Sequence, residues 1–285
     1  MNIQWYPGHM TKAKRAMEES LRLIDVIIEL VDARAPLSSR NPDIDRLGRQ
    51  KYRILLLNKA DLADESANLL WEKWFTAQGC HVVKLDARSG SGMRAVQETI
   101  QEACHEKIER DRRRGIQNRP VRAMVAGIPN VGKSTFINSF ARKSCTKTGN
   151  KPGVTKGNQW IRLNRNVELL DTPGILWPKF EDALVATRLA LIGSINDNVL
   201  NREELAAEGL RFMQDHYPES LASRYEGAEM GGKPWEALAS LAVLRQCLKK
   251  GGEPDTEKAA ALFLEDLRSG RLGRITLEIP PEENR

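Results

Sequence analysis

The stretch Gly127-Ile128-Pro129-Asn130-Val131-Gly132-Lys133-Ser134 matches GxxxxGK[ST], the pattern of a loop that binds phosphate groups. The apolar run Val121–Ala126 precedes it and a helix-like stretch near 133–142 follows it, which is the context that such a loop needs. Glycine lets the backbone curl toward phosphate oxygens, and the helix N-terminus adds positive potential. We expect Lys133 to reach the β- and γ-phosphates and the Ser134 hydroxyl to bind Mg²⁺. The nucleotide contacts predicted in this segment and directly after it are Asn130, Val131, Gly132, Lys133, Ser134 and Thr135.

A second motif, Asp171-Thr172-Pro173-Gly174, follows an apolar run and lies 38 residues after Lys133. An Asp at the end of a strand can hold Mg²⁺ through water, and the Gly174 N–H can meet the γ-phosphate. Alone, the tetrapeptide could be a tight turn, but together with the phosphate-binding pattern it predicts a triphosphate site. Between the two motifs, Thr155 is the better candidate for a mobile threonine that closes on Mg²⁺ and the γ-phosphate, with Thr148 as the alternative.

A third motif, Asn58-Lys59-Ala60-Asp61, follows the apolar run Arg53–Leu57 and matches NKxD. A carboxylate can accept both the N1–H and the N2–H₂ of guanine, whereas adenine offers no such donor pair and would leave Asp61 unpaired. Asn58 would brace the loop, and the Lys59 stem would lie along the base. An isolated tetrapeptide of this kind is weak, since Asp61 could simply cap a helix. With a phosphate-binding loop in the same chain, it predicts guanine as the base.

The loop Asp86-Ala87-Arg88 follows the apolar run His81–Leu85. The usual element in this place is Ser-Ala-Lys, whose backbone N–H touches the guanine carbonyl, and only the central Ala is kept here. We expect Asp86, Ala87 and Arg88 to lie against the nucleotide, and the roles of the two charged side chains stay open.

Apolar runs alternate with helix-like stretches in the first two thirds of the chain, which predicts an α/β domain with a mainly parallel sheet. A hairpin is predicted between strands at 159–163 and 167–170. A loop is predicted around Pro36 and Pro42. Helices are predicted at 64–77, 92–113 and 133–142, the second as one long helix, and after Pro178 at 182–195, 203–214, 235–249 and 256–268. The predicted domains are therefore 1–178, which holds the motifs, and 179–285, which is all-helical.

The order of the motifs is unusual, because 58–61 and 86–88 precede the phosphate-binding segment 127–134. In Ras-like GTPases the phosphate-binding loop comes first. The order of the motifs therefore predicts a circularly permuted Ras-like P-loop GTPase domain, and the pattern after it predicts a small helical domain. Because the chain runs from Asp171–Gly174 straight into the helical domain, we expect the nucleotide state to set the orientation of the two domains.

Further segments carry a resemblance to a known family: Trp5-Tyr6-Pro7-Gly8-His9-Met10, Asp32-Ala33-Arg34-Ala35-Pro36 and Asp171-Thr172-Pro173-Gly174-Ile175-Leu176-Trp177-Pro178. Over nearly its whole length, the sequence resembles the circularly permuted ribosome-assembly GTPases. The resemblance implies hydrolysis of GTP to GDP in late maturation of a large ribosomal subunit precursor, with rRNA and ribosomal proteins as partners. It also implies that the helical domain engages rRNA, through patches such as Arg268, Arg271 and Arg274.

Hydrolysis requires a group that orients the attacking water, which in Ras-like enzymes is a Gln just after DxxG. That position here is Ile175, which cannot orient water. The resemblance implies His9 in this role, with a surface or RNA-contacting histidine as the alternative. It also implies that Asn130 is an oxygen ligand for K⁺, which would offset developing charge. The predicted catalytic residues are His9, Lys133, Thr155 and Gly174, and the predicted metal ligands are Ser134, Thr155 and Asp171 for Mg²⁺ and Asn130 for K⁺.

The chain of 285 residues has a formal net charge of +6, and this charge is unevenly distributed. Residues 1–177 hold 30 Lys and Arg against 19 Asp and Glu, whereas residues 178–285 hold 14 against 19. A basic surplus attracts polyanions, although a solvated basic surface would have the same composition. The apolar runs are too short to span a membrane, and the four scattered cysteines form no CxxC pair, which excludes a zinc ribbon or a disulfide scaffold. We expect a cytoplasmic protein that is monomeric off the ribosome.

Two other interpretations remain open at this point. A GTP-binding, RNA-associated placeholder with negligible turnover would carry the same motifs. Ile175, which cannot orient water, is the residue that favours this interpretation. A P-loop protein that uses ATP is disfavoured by Asp61.

Overall fold

The computed structural model describes residues 18–48, 50–116, 119–142, 159–163, 166–172, 182–197 and 200–281. Its strands are β1 (Val26–Asp32), β2 (Tyr52–Asn58), β3 (His81–Leu85), β4 (Val121–Ala126), β5 (Gln159–Arg162) and β6 (Val167–Asp171). Within the described residues they form one sheet in the order β3-β2-β1-β4-β6-β5. All neighbours are parallel except the β5–β6 hairpin, which is antiparallel. The predicted mainly parallel α/β sheet is confirmed.

The central strands are apolar on both faces, because helices cover both sides of the sheet. All seven residues of β1 are buried, and so are the last five of β2. Such continuous apolar runs are typical of parallel sheets. The sheet therefore supplies the core that holds the strand ends in place.

Ten α-helices follow one another in the described ranges. They are α1 (Pro42–Leu47), α2 (Glu65–Ala77), α3 (Met93–Ala103), α4 (His105–Arg113), α5 (Lys133–Ala141), α6 (Ala183–Leu191), α7 (Arg202–His216), α8 (Pro218–Arg224), α9 (Pro234–Leu244) and α10 (Thr256–Ser269). Asp64 caps α2, because its carboxylate accepts from the backbone N–H groups of Ser66 and Ala67. None of the described helices has the combined length and hydropathy that a membrane span requires.

Two predictions about helices were wrong. The single helix predicted over 92–113 is two helices, because Cys104 leaves the helical conformation with φ −99° and ψ 8°. The buried face of α3 ends there, and α4 is mostly charged. The loop predicted around Pro42 contains α1, which Asn41 caps by accepting from the Asp43 N–H. Proline is well tolerated at the first position of such a helix.

The C-terminal helices pack on each other and on the sheet region through one continuous hydrophobic cluster. The helix predicted at 256–268 is present as α10, and its apolar face packs inward, since Ala260, Phe263, Leu264 and Leu267 are all buried. The predicted boundary at residue 178 lies outside the described residues and stays a prediction.

After α10 the chain crosses back toward the sheet as a segment without regular structure, here called the C-terminal strap (residues 270–278). Leu272, Ile275 and Leu277 of the strap are buried. The strap therefore packs as part of the core.

Candidate functional site

The predicted motifs meet at one edge of the sheet, where the parallel strands end. Asn58 at the end of β2 lies opposite Asp32 at the end of β1 and opposite Leu85 at the end of β3. Beyond β1 in the strand order, Asp171 at the end of β6 lies opposite Val125 of the neighbouring strand β4. Ligands of open α/β sheets bind outside the carboxyl ends of the strands. The edge is therefore where a nucleotide site is expected.

The phosphate loop (residues 127–134) turns from β4 into α5 with a glycine at the start of the helix. Gly132 has φ of 97°, a left-handed conformation that glycine adopts without a Cβ penalty. A Cβ on Gly132 would lie 2.3 Å from Nδ2 of Asn58, so the loop backbone comes closer to Asn58 than any side chain would allow. With the positive end of α5 behind it, this backbone offers a site for anionic groups.

Lys133 is buried at the first position of α5 and points back into its own loop. Its Nζ donates to the carbonyl oxygen of Ile128 at 2.8 Å. Burial lowers the pKa of Lys133, and the nearby Asp171 carboxylate opposes that shift. The ammonium group thus lies within the loop, next to the carboxylate that ends β6.

Asn58 connects three of the predicted motifs through one buried side-chain amide. Its Nδ2 donates to the carbonyl oxygen of Val131 in the phosphate loop at 2.6 Å. Its Oδ1 accepts from the backbone N–H of Ala87 at 3.0 Å. Because both ends of the amide are used, Asn58 fixes the phosphate loop and the 86–88 loop relative to the end of β2.

Lys59 is held by contacts on both sides of its ammonium group. Nζ donates to Oδ2 of Asp32 at 2.7 Å and to the carbonyl oxygen of Asn130 at 2.9 Å. Burial lowers the pKa of Lys59, and the Asp32 carboxylate opposes this shift. Lys59 thus forms a second bridge between the base loop (residues 58–64) and the phosphate loop.

Asp61, the last residue of the motif, is exposed, unlike Asn58 and Lys59. Its loop is closed from behind by the backbone, since the Ala60 N–H donates to the carbonyl oxygen of Leu85 and the Leu62 N–H to that of Lys59. Asp61 is therefore accessible to a ligand from solvent.

The loop Asp86–Arg88 is closed by its own first residue. The Asp86 carboxylate accepts from the backbone N–H groups of Arg88 and Ser89. Burial works to raise the pKa of Asp86, but these hydrogen bonds and that of the Ser89 hydroxyl hold it below its ordinary value. Arg88 is exposed, and Ser139 of α5 donates to the carbonyl oxygen of Ala87 at 2.6 Å. Asp86 therefore shapes the turn, and Ala87 is tied to both Asn58 and α5.

Asp171 is a buried carboxylate at the end of β6. It is 1% exposed, and neither side-chain oxygen has a partner among the described residues. Burial raises the pKa of Asp171, and the Lys133 ammonium opposes this rise. The adjacent Thr172 is fixed by donation from Oγ1 to the carbonyl oxygen of Val125 at 2.8 Å. A buried carboxylate with unused oxygens is the kind of group that a hard cation such as Mg²⁺ requires.

Asn130 joins the phosphate loop to the helical region. Its Nδ2 donates to the carbonyl oxygen of Gly193, just after α6, at 2.8 Å. A cation would use the other atom of this amide, Oδ1. Of the remaining predicted contacts, Val131 is buried, and Ser134 and Thr135 of α5 are half-buried. His9, Thr155 and Gly174 lie outside the described residues.

Asp32 and Arg34 had no predicted role in the site, and the structure places both beside the base loop. The Asp32 carboxylate accepts from Nε and Nη2 of Arg34 and from Nζ of Lys59. Burial works to raise the pKa of Asp32, but the two cations outweigh it and hold the pKa well below its usual range. The signal in the sequence was an acidic residue directly after the apolar run of β1, in the same position as Asn58 after β2.

Two of the three arginines expected to engage rRNA are used within the protein. Arg268 donates to the carbonyl oxygens of Ala190 and Leu191 and pairs with Asp197. Arg271 pairs with two acidic residues of α10, Glu265 and Asp266. The guanidinium of Arg268 thus joins α10 to the end of α6, and its contact with rRNA stays a prediction.

Arg274 pairs with Glu65 at 3.8 Å, and 58% of its side chain is exposed. The side chain of Arg271 is 43% exposed, so a polyanion could reach both Arg271 and Arg274 directly.

The strand order, the phosphate loop and the base loop define the class of protein: a circularly permuted P-loop GTPase. Residues 122–219 match the family described as 50S ribosome-binding GTPase. Ribosome biogenesis GTPase A of Bacillus cereus is 48% identical over 99% of this chain and 95% of its own length. The protein of the same name from Thermotoga maritima is 33% identical over 98% and 95%.

Two solved structures of YlqF, the second described as from T. maritima, have the same fold. The GDP-bound structure matches with a TM-score of 0.68 and 28% identity, over 93% of this chain and 98% of that one. The GNP-bound structure matches with a TM-score of 0.65 and 31% identity, over 94% and 98%. The chain belongs to the ribosome biogenesis GTPase A family. It is a GTP-hydrolysing enzyme that binds guanine nucleotides.

Proposed function

We propose that this GTPase is an assembly factor that binds a precursor of the large ribosomal subunit and acts in its late maturation. The nucleotide state would control association with the particle and release from it. The name of the relatives and the description of the matching family support this role. The observation that carries the nucleotide part of the proposal is the Asn58 amide, which holds the phosphate loop and the 86–88 loop together at 2.6 and 3.0 Å.

In this proposal the base loop selects guanine. The exposed Asp61 carboxylate would accept the N1–H and N2–H₂ donors, and adenine would leave it without them. Asn58 and Lys59 would hold the loop, since their side chains are already bonded to the phosphate loop. Ala87, between Asp86 and Arg88, would lie at the far side of the base.

The phosphate groups would lie on the backbone of residues 130–135, at the positive end of α5. Lys133 would leave the carbonyl oxygen of Ile128 and turn to the β- and γ-phosphates. Ser134 and the Asp171 carboxylate would hold Mg²⁺, with Asp171 acting through water. When bound, the ion would neutralise charge that develops between the two phosphates.

Three predicted residues outside the described ranges complete the proposal. Thr155 would close on Mg²⁺ and the γ-phosphate, and the Gly174 N–H would meet the same phosphate. His9 would orient the attacking water, because Ile175 stands where Ras-like enzymes have a Gln. A His9→Ala protein whose particle-stimulated turnover equals that of the wild type would exclude that role.

Asn130 would hold K⁺ through Oδ1 while Nδ2 keeps its bond to Gly193. K⁺ beside the phosphates would offset the charge that develops during hydrolysis. Turnover in K⁺ should exceed turnover in Na⁺ at equal ionic strength, and equal rates would dismiss the K⁺ site.

The partner surface is expected to lie mainly on the first two thirds of the chain, where basic residues exceed acidic ones by 30 to 19. Such a surplus favours RNA through release of counterions. We expect a cytoplasmic protein that is monomeric away from the particle. Large-subunit particles should therefore retain the protein more strongly at low salt than at high salt.

The test is co-sedimentation with large-subunit precursor particles in GDP and in a non-hydrolysable GTP analogue. We expect more protein in the pellet with the analogue than with GDP. Equal pelleting in both states would contradict nucleotide control, and no pelleting in either would contradict the partner.

A GTP-binding placeholder with negligible turnover is the second candidate, and Ile175 in place of a Gln favours it. Single-turnover rates with and without particles separate the two. If the particles raise the rate of GTP hydrolysis at least tenfold, the result supports the enzyme, whose hydrolysis of GTP would lead to its release from the particle.

A further inference from the structure

The C-terminal strap forms a direct contact with the base loop, although more than 200 residues separate them in the chain. The Ile275 N–H donates to the carbonyl oxygen of Leu62 at 2.9 Å. The Asp64 N–H donates to Oγ1 of Thr276 at 3.0 Å. At the start of the strap, Gly270 comes so close that a Cβ on it would lie 2.6 Å from Cδ2 of Leu62. The strap thus holds both residues that flank the turn after Asp61.

The strap also holds the residues behind the base loop. The Leu277 N–H donates to the carbonyl oxygen of Arg34 at 2.7 Å. Nη1 of Arg34 donates to the carbonyl oxygen of Arg268 at the end of α10. The same guanidinium binds Asp32, which in turn binds Lys59 of the base loop. A chain of hydrogen bonds therefore runs from the helical region to the base loop.

The far end of the strap is fixed by a buried carboxylate. Glu278 accepts from the N–H of Ser38 at 2.7 Å and from Nη1 of Arg188 at 2.8 Å. Its carbonyl oxygen accepts from Nε1 of Trp71, a fully buried side chain of α2. The strap is therefore clamped at both ends, with its hydrogen bonds to the base loop between them.

We propose that the strap positions the base loop for guanine, with Thr276 as a positioning residue that acts through Asp64 and Leu62 on the direction of the Asp61 carboxylate. This inference rests on the proposed role of Asp61 in base selection. Without the Thr276 hydroxyl, the partly buried Asp64 N–H would lose its acceptor, and the loop would have to shift to find another. A shifted Asp61 could no longer accept from N1–H and from the 2-amino group at the same time, so guanine would lose the advantage that its second donor gives.

The consequence is measurable as discrimination between GDP and IDP, which lacks the 2-amino group. Thr276→Val keeps the shape of the side chain and removes the acceptor of Asp64. We expect the affinity for GDP to fall about tenfold and that for IDP about twofold, so that the GDP preference falls about fivefold. Thr276→Ser keeps the hydroxyl and should stay within about twofold of the wild type for both nucleotides.

Thr256→Val is the matched control. Thr256 donates to Glu203 in the helical region, far from the strap, so its loss should cost stability without changing the GDP preference. A loss of preference in this variant as large as that in Thr276→Val would overturn the inference. If Thr276→Val fails to fold, Glu278→Gln loosens the far end of the strap and should lower the same preference by a smaller factor.

Asp61→Ala separates this inference from the proposal on which it rests. If Asp61→Ala leaves the GDP preference unchanged, the proposed base contact is wrong. If Asp61→Ala abolishes the preference but Thr276→Val retains it, the base contact stands and the strap inference is overturned. The expected result is that both variants lose preference, Asp61→Ala more than Thr276→Val.

A second measurement uses the wild-type protein. Because coupling is reciprocal, GDP that favours the ordered base loop must also favour the bonded strap. We expect hydrogen exchange at the amides of Ile275 and Leu277 to slow when GDP saturates the protein. Unchanged exchange at both amides would overturn the coupling.

Discussion

A hydrogen bond joins Lys59 to Asn130, and both residues have a left-handed backbone conformation. Nζ of Lys59 donates to the carbonyl oxygen of Asn130 at 2.9 Å, and the φ angles are 60° and 61°. A residue other than glycine pays roughly 1–2 kcal/mol for this conformation. The bond between them stabilises both unfavourable turns at once, so the base loop and the phosphate loop are expected to order together.

Lys59→Met tests this pairing, because it keeps most of the stem and removes the ammonium group. A hydrogen bond from a charged donor contributes about 1.5–3 kcal/mol. We expect GDP to dissociate at least tenfold faster, measured by displacement of a fluorescent analogue. Lys84→Met is the control, since Lys84 pairs with Glu65 and Glu72 on the protein surface. Similar dissociation rates for the two variants would contradict the expectation.

Asp32→Asn should destabilise the fold in a pH-dependent way. The pKa of Asp32 lies below its ordinary value, because Arg34 and Lys59 outweigh the opposing effect of burial. The ionised Asp32 carboxylate therefore stabilises the fold fully at pH values above about 3.9, the pKa of Asp in the unfolded chain. This stabilisation is lost as the pH falls through the lower pKa that Asp32 has in the folded protein. We expect Asp32→Asn to lower the free energy of unfolding by about 3 kcal/mol at pH 7. At pH 3 the difference in unfolding free energy between wild type and variant should be smaller by about 1 kcal/mol.

Urea unfolding at both pH values measures this difference. The exposed Asp215, changed to Asn, is the control and should behave like the wild type at pH 7 and pH 3. A cost of Asp32→Asn that is the same at both pH values would show that the charge is not responsible.

Asp171→Asn should weaken GTP binding only when Mg²⁺ is present. The two Asp171 oxygens have no hydrogen-bond partner among the described residues, so their replacement removes no hydrogen bond there, although the Lys133 ammonium loses a neighbouring charge. We expect at least tenfold weaker GTP binding in Mg²⁺ and less than twofold change in EDTA, measured by titration calorimetry. Glu168→Gln, at the other end of β6, should leave both values unchanged. Equal losses with and without Mg²⁺ would argue against the proposed metal contact.

Arg268→Ala should act on stability, and Arg274→Ala on RNA binding. Arg268 makes several internal hydrogen bonds to the end of α6 and to Asp197, and its loss should cost about 3 kcal/mol. Arg274 is largely exposed, so its loss should leave the unfolding free energy within about 0.5 kcal/mol. Chemical denaturation and filter binding of rRNA fragments measure the two effects. An unchanged unfolding midpoint for Arg268→Ala would refute the structural role.

The sequence predicted the sheet well because its strands are short apolar runs with clear ends. The strands His81–Leu85 and Val121–Ala126 have the predicted bounds. The break at Cys104 was missed, because a change of helix direction leaves no mark in a pattern of apolar spacing. Helix α1 was missed because two prolines in a short stretch favoured a loop.

The site was predicted as far as motifs allow. Asn58 and Lys59 follow a strand in a known pattern, and the structure brings both against the phosphate loop. The part played by Asp32 and Arg34 could not be predicted, since it depends on which strands are neighbours in the sheet. The strap could not be predicted either, because its contacts with Leu62 and Asp64 join distant parts of the chain through the backbone and one hydroxyl.

The close approach of Gly132 to Asn58 limits how this protein can be re-engineered. A side chain at position 132 would collide with the Asn58 amide, since a Cβ would lie 2.3 Å from Nδ2. A phosphate loop grafted from another nucleotide-binding protein would therefore have to bring a glycine at this position and a partner shaped like Asn58. In a chimaera, the two segments would have to be exchanged as a matched pair, although 73 residues of sequence separate Asn58 from Val131.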